Sequence, residues 1–322
     1  MRLTRRQFGA VLAASPFIAK GATYPTLNGV HIGLQSASFT YSGMGIDDII
    51  KTMRDLGLAE IDVMSEHVEN YLGAPGVQLP GTGRPGPWVA RAAGAAGQGG
   101  RRGPSGAGRG PGGFGRGGDP AVREALRKWR LEVDLDRFAA VGKKFTDAGL
   151  RFFSYNLSFN DSYTDEEIDR GMLMTKALGT RIITASSPAS IFPRLAPFLE
   201  KHDVIIGIHN HTTGPEEFAK AMQASPNVWV NLDTGHFFAS GYDPVAYMKE
   251  HHKRITNIHI KDRMRNNGPE MPFGQGETPL KDILLTVKNE KYQFPVCIEY
   301  VGPDGPPVEL KRCLDYCKSL LA

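Results

Sequence analysis

Four strand-like runs in the second half of the chain each end in a side chain that can bind a metal ion. They occupy residues 204–211, 228–236, 255–262 and 295–299, and helix-like stretches separate them. In a parallel α/β barrel the carboxyl ends of all strands lie on one rim, where the active site is found. The runs therefore predict that several imidazole and carboxylate groups converge there. Such a set is typical of a divalent metal centre.

Strand-like and helix-like segments alternate along the rest of the chain as well. Besides the four runs, we predict strands at residues 30–34, 60–63, 152–156 and 181–185. The predicted helices are residues 45–56, 121–148, 165–178, 188–201, 215–224, 244–251, 279–288 and 306–321. Several of them begin near a proline, whose missing N–H is not needed there. Eight strand–helix units predict an α/β fold, a (β/α)8 TIM barrel over residues 23–322.

The first 22 residues resemble a twin-arginine export signal. Arg5 and Arg6 precede an apolar run at residues 10–19. We therefore predict export of the folded protein by the twin-arginine machinery, into the periplasm or out of the cell, with an ordinary basic signal peptide as the alternative. The apolar run is shorter than the roughly 20 residues that a bilayer requires, so we expect no stable membrane span.

A glycine-rich insertion interrupts the barrel pattern after the second predicted strand. Residues 73–118 contain 18 Gly and almost no large apolar side chains. A segment of this composition cannot bury enough surface to offset its chain entropy, so we predict a disordered insertion at residues 70–119. Its Arg–Gly repeats are also compatible with RNA binding, but a solvated insertion is the simpler expectation in an exported protein.

The charge distribution argues against nucleic acid as a partner. The net charge of +4 arises from four basic residues among the first 22 and from six arginines in residues 70–118, which contain no acid. The remainder is therefore net acidic, whereas duplex nucleic acid requires clustered Lys and Arg.

Cys297, Cys313 and Cys317 are expected to be buried thiols, because they form no zinc-type cluster. An oligomer is compatible with this composition.

The alternation of side chains along each strand predicts which residues point into the barrel. His209 and His211 share one face of their strand, and Asp233, His259 and Glu299 each share a face with another polar or small residue. The opposite faces are apolar, as expected for packing beneath the outer helices. The metal-capable side chains are therefore predicted to point inward.

The sequence resembles the xylose-isomerase-like TIM barrels, a superfamily that includes sugar phosphate isomerase/epimerases, ketose 3-epimerases and the AP endonuclease family 2 enzyme endonuclease IV. The matching pieces are His209-Asn-His211, Asp233-Thr-Gly-His236, His259-Ile-Lys261-Asp262-Arg263, Phe273-Gly274-Gln275-Gly276 and Ile298-Glu299. The resemblance extends over residues 29–320 apart from the insertion. It implies that His236 contacts substrate hydroxyls. It also implies one divalent ion (Mn, Co, Fe or Zn) bound by His209, Asp233, His259 and Glu299.

One departure from the family affects the expected chemistry. The epimerases of the family place Glu where this chain has His209, and their two ligand carboxylates act as a paired acid and base. A metal-bound imidazole has already used its lone pair and is a poor base. Glu299 is therefore left as the predicted catalytic base.

Other polar residues near the strand ends are candidates for the remaining roles. His211 is the second catalytic candidate, and the alternatives for a second acid/base are His236, Asp62 and Glu66. Lys261 and Arg263 could hold a carboxylate or phosphate, with an ion pair to Asp262 as the alternative role of the lysine. The predicted substrate-binding residues are His236, Lys261, Arg263 and Asp62.

These features predict an enzyme that enolises a sugar carbon beside a metal-bound carbonyl. The leading hypothesis is a metal-dependent sugar isomerase or epimerase with a small carbohydrate substrate. The main alternative is a lyase that acts on a 3-keto glycoside, since elimination requires only one base and one acid. An endonuclease IV-like enzyme and a non-catalytic sugar-binding barrel are further alternatives, and the acidic charge argues against the former.

Overall fold

Eight parallel strands close into a barrel in the computed structural model, which describes residues 24–82 and 119–322. The strands of the whole structure are β1 (Ile32–Gln35), β2 (Glu60–Met64), β3 (Arg151–Asn156), β4 (Ile182–Ala185), β5 (Ile205–His209), β6 (Val228–Asp233), β7 (Ile255–Ile260), β8 (Asp262–Arg263), β9 (Glu270–Met271) and β10 (Val296–Ile298). β1 to β7 pair in sequence order, and β10 pairs with both β7 and β1. The predicted (β/α)8 TIM barrel is confirmed. β8 and β9 form a separate antiparallel hairpin.

Helices alternate with the strands and pack on the outside of the barrel. They are α1 (Ile46–Leu56), α2 (Ser65–Tyr71), α3 (Pro120–Glu132), α4 (Leu135–Asp147), α5 (Asp165–Ala177), α6 (Phe192–His202), α7 (Pro215–Met222), α8 (Thr234–Ala239), α9 (Pro244–His251), α10 (Leu280–Asn289) and α11 (Pro306–Leu321). Proline lies in the first turn of α3, α6, α7, α9 and α11. Among the described helices, none is long and apolar enough to cross a membrane.

The single helix predicted at residues 121–148 is two helices in the structure. Val133 leaves the helical conformation with φ −58° and ψ 135°. The side chain of Asp134 then accepts a hydrogen bond from the Asp136 N–H and caps the start of α4. A carboxylate that accepts from the free N–H groups of a first turn is a strong signal for the start of a helix. The apolar periodicity on which the prediction depended runs through both helices and therefore does not show the break.

Residues 73–82 are packed against the barrel, which corrects the predicted start of the disordered insertion. Ala74 and Val77 are buried together with Leu126 of α3. Two small apolar side chains are thus enough to fix this stretch, because a helix with a matching apolar position lies beside it. Two predictions fall outside the described residues, namely the insertion at 83–118 and the signal peptide at 1–22.

The predicted alternation of strand faces is confirmed. Apolar side chains such as Ile206 and Val230 belong to the main hydrophobic core. The barrel interior instead contains buried polar side chains, including Gln35, Asp62 and Thr184. The interior is therefore able to hold and orient polar groups at the rim. The three cysteines are buried and free, as predicted.

Candidate functional site

Four side chains that sequence analysis predicted as metal ligands meet at the carboxyl ends of neighbouring strands. His209 ends β5, Asp233 ends β6, His259 lies in β7, and Glu299 follows β10. The strand register places Asp233 beside His259, and one ligand atom from each of the four lies within 4.8 Å of the others. All four residues are buried. We call this set the four-ligand cluster.

The polar atoms of the cluster fit a divalent cation. Asp233 Oδ2, His259 Nδ1 and Glu299 Oε2 are buried and converge. His259 Nδ1 and Glu299 Oε2 form an ion pair at 2.9 Å, whereas Asp233 Oδ2 makes no hydrogen bond to a described residue. A buried group without a hydrogen bond costs about 1–3 kcal/mol, so Asp233 Oδ2 beside a second converging carboxylate calls for a bound cation. Two imidazoles and two carboxylates suit Mn, Fe, Co or Zn.

The tautomer of His209 is fixed by a residue that sequence analysis missed. Its Nδ1 lies 2.8 Å from Asn231 Oδ1, which can only accept, so Nδ1 carries the hydrogen. The Nε2 lone pair is left to face Asp233 Oδ2, 4.0 Å away. Asn231 stands two residues before Asp233, so the strand alternation was the signal that could have identified it.

Asp62 lies behind His259 and does not reach the opening of the site. Its Oδ2 accepts from His259 Nε2 at 3.0 Å and from Gln35 Nε2 at 2.9 Å, while Thr184 Oγ1 donates to Oδ1 at 2.8 Å. Asp62 is 0% exposed. The structure therefore places it as a support for a ligand, not at the substrate-contacting position that the sequence suggested. A carboxylate behind a ligating imidazole orients the ring and raises its basicity.

The two carboxylates around His259 determine its charge. Burial alone would lower the pKa of His259, but Asp62 and Glu299 outweigh it and raise the pKa to about 9. Its Nδ1 lies 2.9 Å from Glu299 Oε2. Without a metal the ring therefore holds a proton at the position that a cation would take, because metal and proton compete for the same lone pair.

Asp233 has one oxygen committed to the fold and one free. Its Oδ1 accepts a hydrogen bond from the His236 N–H at 2.8 Å and caps α8. Asn210 fixes its backbone from the side, since the Asp233 N–H donates to Asn210 Oδ1 at 2.9 Å and Asn210 Nδ2 donates to the Asp233 carbonyl at 3.0 Å. Only Oδ2 is left for a metal. Asn210 lies between two predicted site residues but was not itself predicted.

Lys261 joins the cluster instead of pairing with Asp262. Its Nζ lies 2.7 Å from Glu299 Oε1 and 3.5 Å from Asp233 Oδ2. Burial disfavours its charged form, but these two carboxylates outweigh burial and raise the pKa of Lys261. In turn, Lys261 and His259 overcome burial and hold the pKa of Glu299 well below its ordinary value. Glu299 is therefore ionised at neutral pH.

Asp262 has a structural role in the rim. Its carboxylate accepts backbone hydrogen bonds from Gly274 at 2.8 Å, Gly276 at 2.9 Å and Thr278 at 3.2 Å. A Cβ atom at Gly276 would lie 2.1 Å from Asp262 Oδ1, so this position requires glycine. The predicted alternative of a Lys261–Asp262 ion pair is wrong, because the aspartate is occupied by the loop at residues 273–278.

His236 lies between two cationic side chains at the edge of the cluster. Arg263 Nη1 hydrogen bonds to His236 Nδ1, and Lys261 Nζ, which likewise can only donate, lies 3.4 Å from His236 Nε2. Burial, reinforced by Lys261, lowers the pKa of His236 and keeps the ring neutral. A second possible ligand group, made of His209, His211 and His236, shares His209 with the four-ligand cluster, and the two nitrogens of its His236 already face Arg263 and Lys261.

The two remaining catalytic candidates lie in different surroundings. His211 borders the cluster, with its ring centroid 4.9 Å from that of His209 and its Nε2 3.2 Å from Ser186 Oγ. Burial lowers the pKa of His211 to about 4. Glu66 is instead in α2, where burial raises its pKa and the nearby charges are Glu69 and Arg130. The structure therefore brings His211, but not Glu66, to the cluster.

The comparisons with known proteins agree with this geometry. The sequence profile of the family described as xylose isomerase-like TIM barrel matches residues 120–320. None of the curated proteins is a significant match. Similar solved structures include a sugar phosphate isomerase/epimerase from Parabacteroides distasonis, with 15% identity, a TM-score of 0.58 and coverage of 96% of this chain and 98% of that one.

Two further solved structures share the fold. The probable 3-DHS dehydratase AsbF from Bacillus anthracis has 13% identity and a TM-score of 0.58, over 88% of this chain and 99% of that one. The IOLI protein with a bound zinc atom has 14% identity and a TM-score of 0.57, over 91% of this chain and 98% of that one. At such identities the likeness establishes a common fold.

Proposed function

We propose that this chain, which belongs to the xylose isomerase-like TIM barrel family, is a metal-dependent sugar isomerase or epimerase. The observation that carries the proposal is the four-ligand cluster, whose free donor atoms converge beside an ionised lysine–glutamate pair. Similar folds include a sugar phosphate isomerase/epimerase and a zinc-containing protein, which supports the choice of reaction class and cofactor. We propose one divalent ion, Mn, Co, Fe or Zn.

The residues of the chain divide the chemistry among them. A divalent ion held by His209, Asp233, His259 and Glu299 would supply Lewis acidity, which acidifies the carbon–hydrogen bond beside a carbonyl. Glu299 is the proposed base, because it is an ionised carboxylate in the cluster and Lys261 holds its Oε1. His236, which Arg263 holds at the edge of the cluster, is the proposed contact for a substrate hydroxyl. Excluding water from this buried place strengthens each of these interactions.

A lyase on a 3-keto glycoside is the second candidate, and one observation favours it. An imidazole, His209, stands where an epimerase of the family has a second carboxylate, and its Nδ1 is tied to Asn231. Elimination needs a base at one carbon and an acid at the leaving group, so it does not depend on paired ligand carboxylates. A dehydratase among the similar folds is compatible with this reaction class.

Solvent exchange and product analysis test the proposal together. The Mn-loaded protein is incubated in deuterium oxide with a panel of ketoses, inososes and 3-keto glycosides. We expect deuterium at the carbon beside the carbonyl of one compound, and at least a ~100-fold loss of exchange in Glu299→Gln, which removes the base but keeps its shape. An isomeric sugar identifies an isomerase or epimerase, whereas a released aglycone identifies the lyase. Absence of exchange across the panel would argue against both.

A further inference from the structure

The proposed reaction needs a second proton-transfer group, and the carboxylates near the cluster are already engaged. Asp62 is buried with His259, Gln35 and Thr184, and Asp262 is taken by backbone N–H groups. His209 replaces the second carboxylate of the family's epimerases. A further carboxylic acid must therefore come from an element other than the barrel strands.

The hairpin of β8 and β9 brings such a group to the rim. Glu270 of β9 lies directly opposite Arg263 of β8 in an antiparallel register. Directly opposed residues project from the same face of an antiparallel pair. Arg263 reaches His236 from that face, so Glu270 is directed to the same side of the hairpin, above the cluster.

The backbone of the hairpin is held firmly enough to position this carboxyl group. Arg263 Nε donates to the Gly268 carbonyl at 3.1 Å, and the Met264 N–H donates to the Pro269 carbonyl at 3.1 Å. The Asp262 carboxylate ties the end of the same loop to the rim. Glu270 is thus carried on a fixed support although its side chain is exposed.

The charges that act on Glu270 are those of the cluster. They come from Lys261, Glu299 and Asp233, together with Arg263 of the facing strand. The residue is exposed, but protein atoms around its carboxyl group disfavour the charged form and raise the pKa. The positive charge of Lys261 lowers the pKa, whereas the negative charges of Glu299 and Asp233 raise it. The result raises the pKa of Glu270 to about 7. A carboxyl group placed beside the cluster can accept a proton and donate it, as a catalytic acid/base requires.

We propose that Glu270 is the second catalytic acid/base and replaces the family carboxylate that His209 displaces. The inference rests on the proposed epimerase function. Glu299 takes the proton from the carbon beside the carbonyl, the electron pair of that bond becomes the carbon–carbon double bond of an enolate, and the carbonyl oxygen takes the negative charge. Protonated Glu270 then gives its proton to the opposite face of the same carbon, which restores the carbonyl. Glu299 ends protonated and Glu270 ionised, and solvent resets both.

Separating exchange from inversion tests this role. In deuterium oxide, Glu270→Gln is expected to keep exchange at the substrate carbon, because Glu299 can remove and return a proton on one face. Formation of the inverted sugar should fall at least ~100-fold. Glu277→Gln is the matched control, since this exposed carboxylate of the same loop only accepts from the Arg265 N–H, and both activities should persist. An unchanged rate of inversion in Glu270→Gln overturns the proposal, as does loss of inversion in His211→Ala alone.

A measurement without substrate keeps the inference separate from the proposed function. Carbon-13 NMR of carboxyl-labelled glutamate, in the full chain without added divalent ion, follows the Glu270 signal, which is assigned by its loss in Glu270→Gln. Glu299→Gln removes a neighbouring negative charge, so the pKa of Glu270 should fall, whereas Glu290→Gln on the α10 terminus should leave it unchanged. A Glu270 pKa that does not respond to Glu299→Gln overturns the placement. If the pKa of Glu270 does respond to Glu299→Gln but no carbohydrate in the panel exchanges deuterium, the proposed function is contradicted and the placement of Glu270 stands.

Discussion

His259 Nε2 lies 3.0 Å from Asp62 Oδ2, although the two residues are 197 positions apart in the chain. The contact crosses the barrel interior between β7 and β2, and both side chains are fully buried. The hydrogen on Nε2 is thereby directed inward, and Nδ1, the nitrogen that a cation would bind, is directed to the cluster. The orientation of one ligand therefore depends on a strand that contributes no ligand itself.

Removing the charge of Asp62 should weaken metal binding without removing a ligand. Asp62→Asn keeps the shape and an acceptor oxygen for His259, but a neutral amide raises the basicity of the imidazole less. We expect metal affinity to fall about 10- to 100-fold, as for other residues behind a ligand. Calorimetric titration with Zn or Mn measures it, and Asp55→Asn on the exposed face of α1 is the control. Equal affinities in Asp62→Asn and wild type would disprove the supporting role.

Two substitutions of Asp233 should separate its ligand role from its capping role. Asp233→Asn retains a good helix cap for α8 but loses the charged ligand oxygen, so metal content should drop while thermal stability is kept. Asp233→Ala should lose metal and also about 0.5–2 kcal/mol of stability, because the His236 N–H is left without its acceptor. Metal per chain and thermal unfolding of the metal-free proteins provide the two readings. Near-complete metal occupancy in both variants would exclude Asp233 as a ligand.

Acid sensitivity of the fold should depend on His67 of α2. This residue is 0% exposed, neither ring nitrogen has a partner among the described residues, and burial lowers the pKa of His67 to about 3. Above pH 6.5 both states are neutral and the histidine has no effect on the pH dependence. Below that pH the unfolded state takes up a proton that the folded state refuses, so stability falls by about 1.4 kcal/mol per pH unit until pH 3.

The variant His67→Leu should remove this dependence. When the pH is lowered from 7 to 5, the unfolding free energy of wild type should fall by about 2 kcal/mol more than that of His67→Leu. Urea unfolding at the two pH values measures the change, and His252→Leu at a partly exposed histidine controls for the loss of one imidazole. Parallel pH profiles for wild type and His67→Leu would show that His67 is not the source.

Export should depend on the paired guanidinium groups of Arg5 and Arg6. We propose that residues 1–22 direct the folded protein through the twin-arginine machinery, as the motif indicates. Arg5→Lys with Arg6→Lys keeps the charge but not the planar donors, so periplasmic or secreted protein should be largely lost. Cell fractionation measures it, with Lys20→Arg as a charge-preserving control in the same segment. Undiminished export of the double variant would favour an ordinary signal peptide.

The sequence was sufficient for the barrel and for the meeting of the ligands, because both follow from short-range patterns. Alternation along β5, β6 and β7 fixes which side chains point inward, and the closure of parallel strands brings their ends together. His209 and Asp233 could thus be placed side by side without knowledge of any contact. The tautomer of His209 and the helix-capping role of Asp233 could not be predicted, since the first depends on Asn231 and the second on the start of α8.

The features that sequence analysis missed depend on contacts without periodicity. Asp62 was predicted near the substrate because it lies close to the end of a predicted strand, but its partners lie on β1, β4 and β7. The hairpin of β8 and β9 has strands of two residues each, too short to show alternation. Lys261 and Asp262 are adjacent in sequence, yet their side chains point to opposite sides of the chain, as successive residues of an extended segment do.

The attachment of the hairpin through Asp262 separates loop residues that can vary in sequence from the metal ligands on the barrel, which cannot. The Asp262 carboxylate accepts from the main-chain N–H groups of Gly274, Gly276 and Thr278, so this attachment does not use the side chains between Met264 and Phe273. Mutations there can accumulate without disturbing the metal ligands on the barrel. A new acid, such as the one at position 270, can therefore arise by a single codon change in a tolerant loop. Loop exchange between homologues offers a direct route to engineer reaction outcome on a constant metal centre.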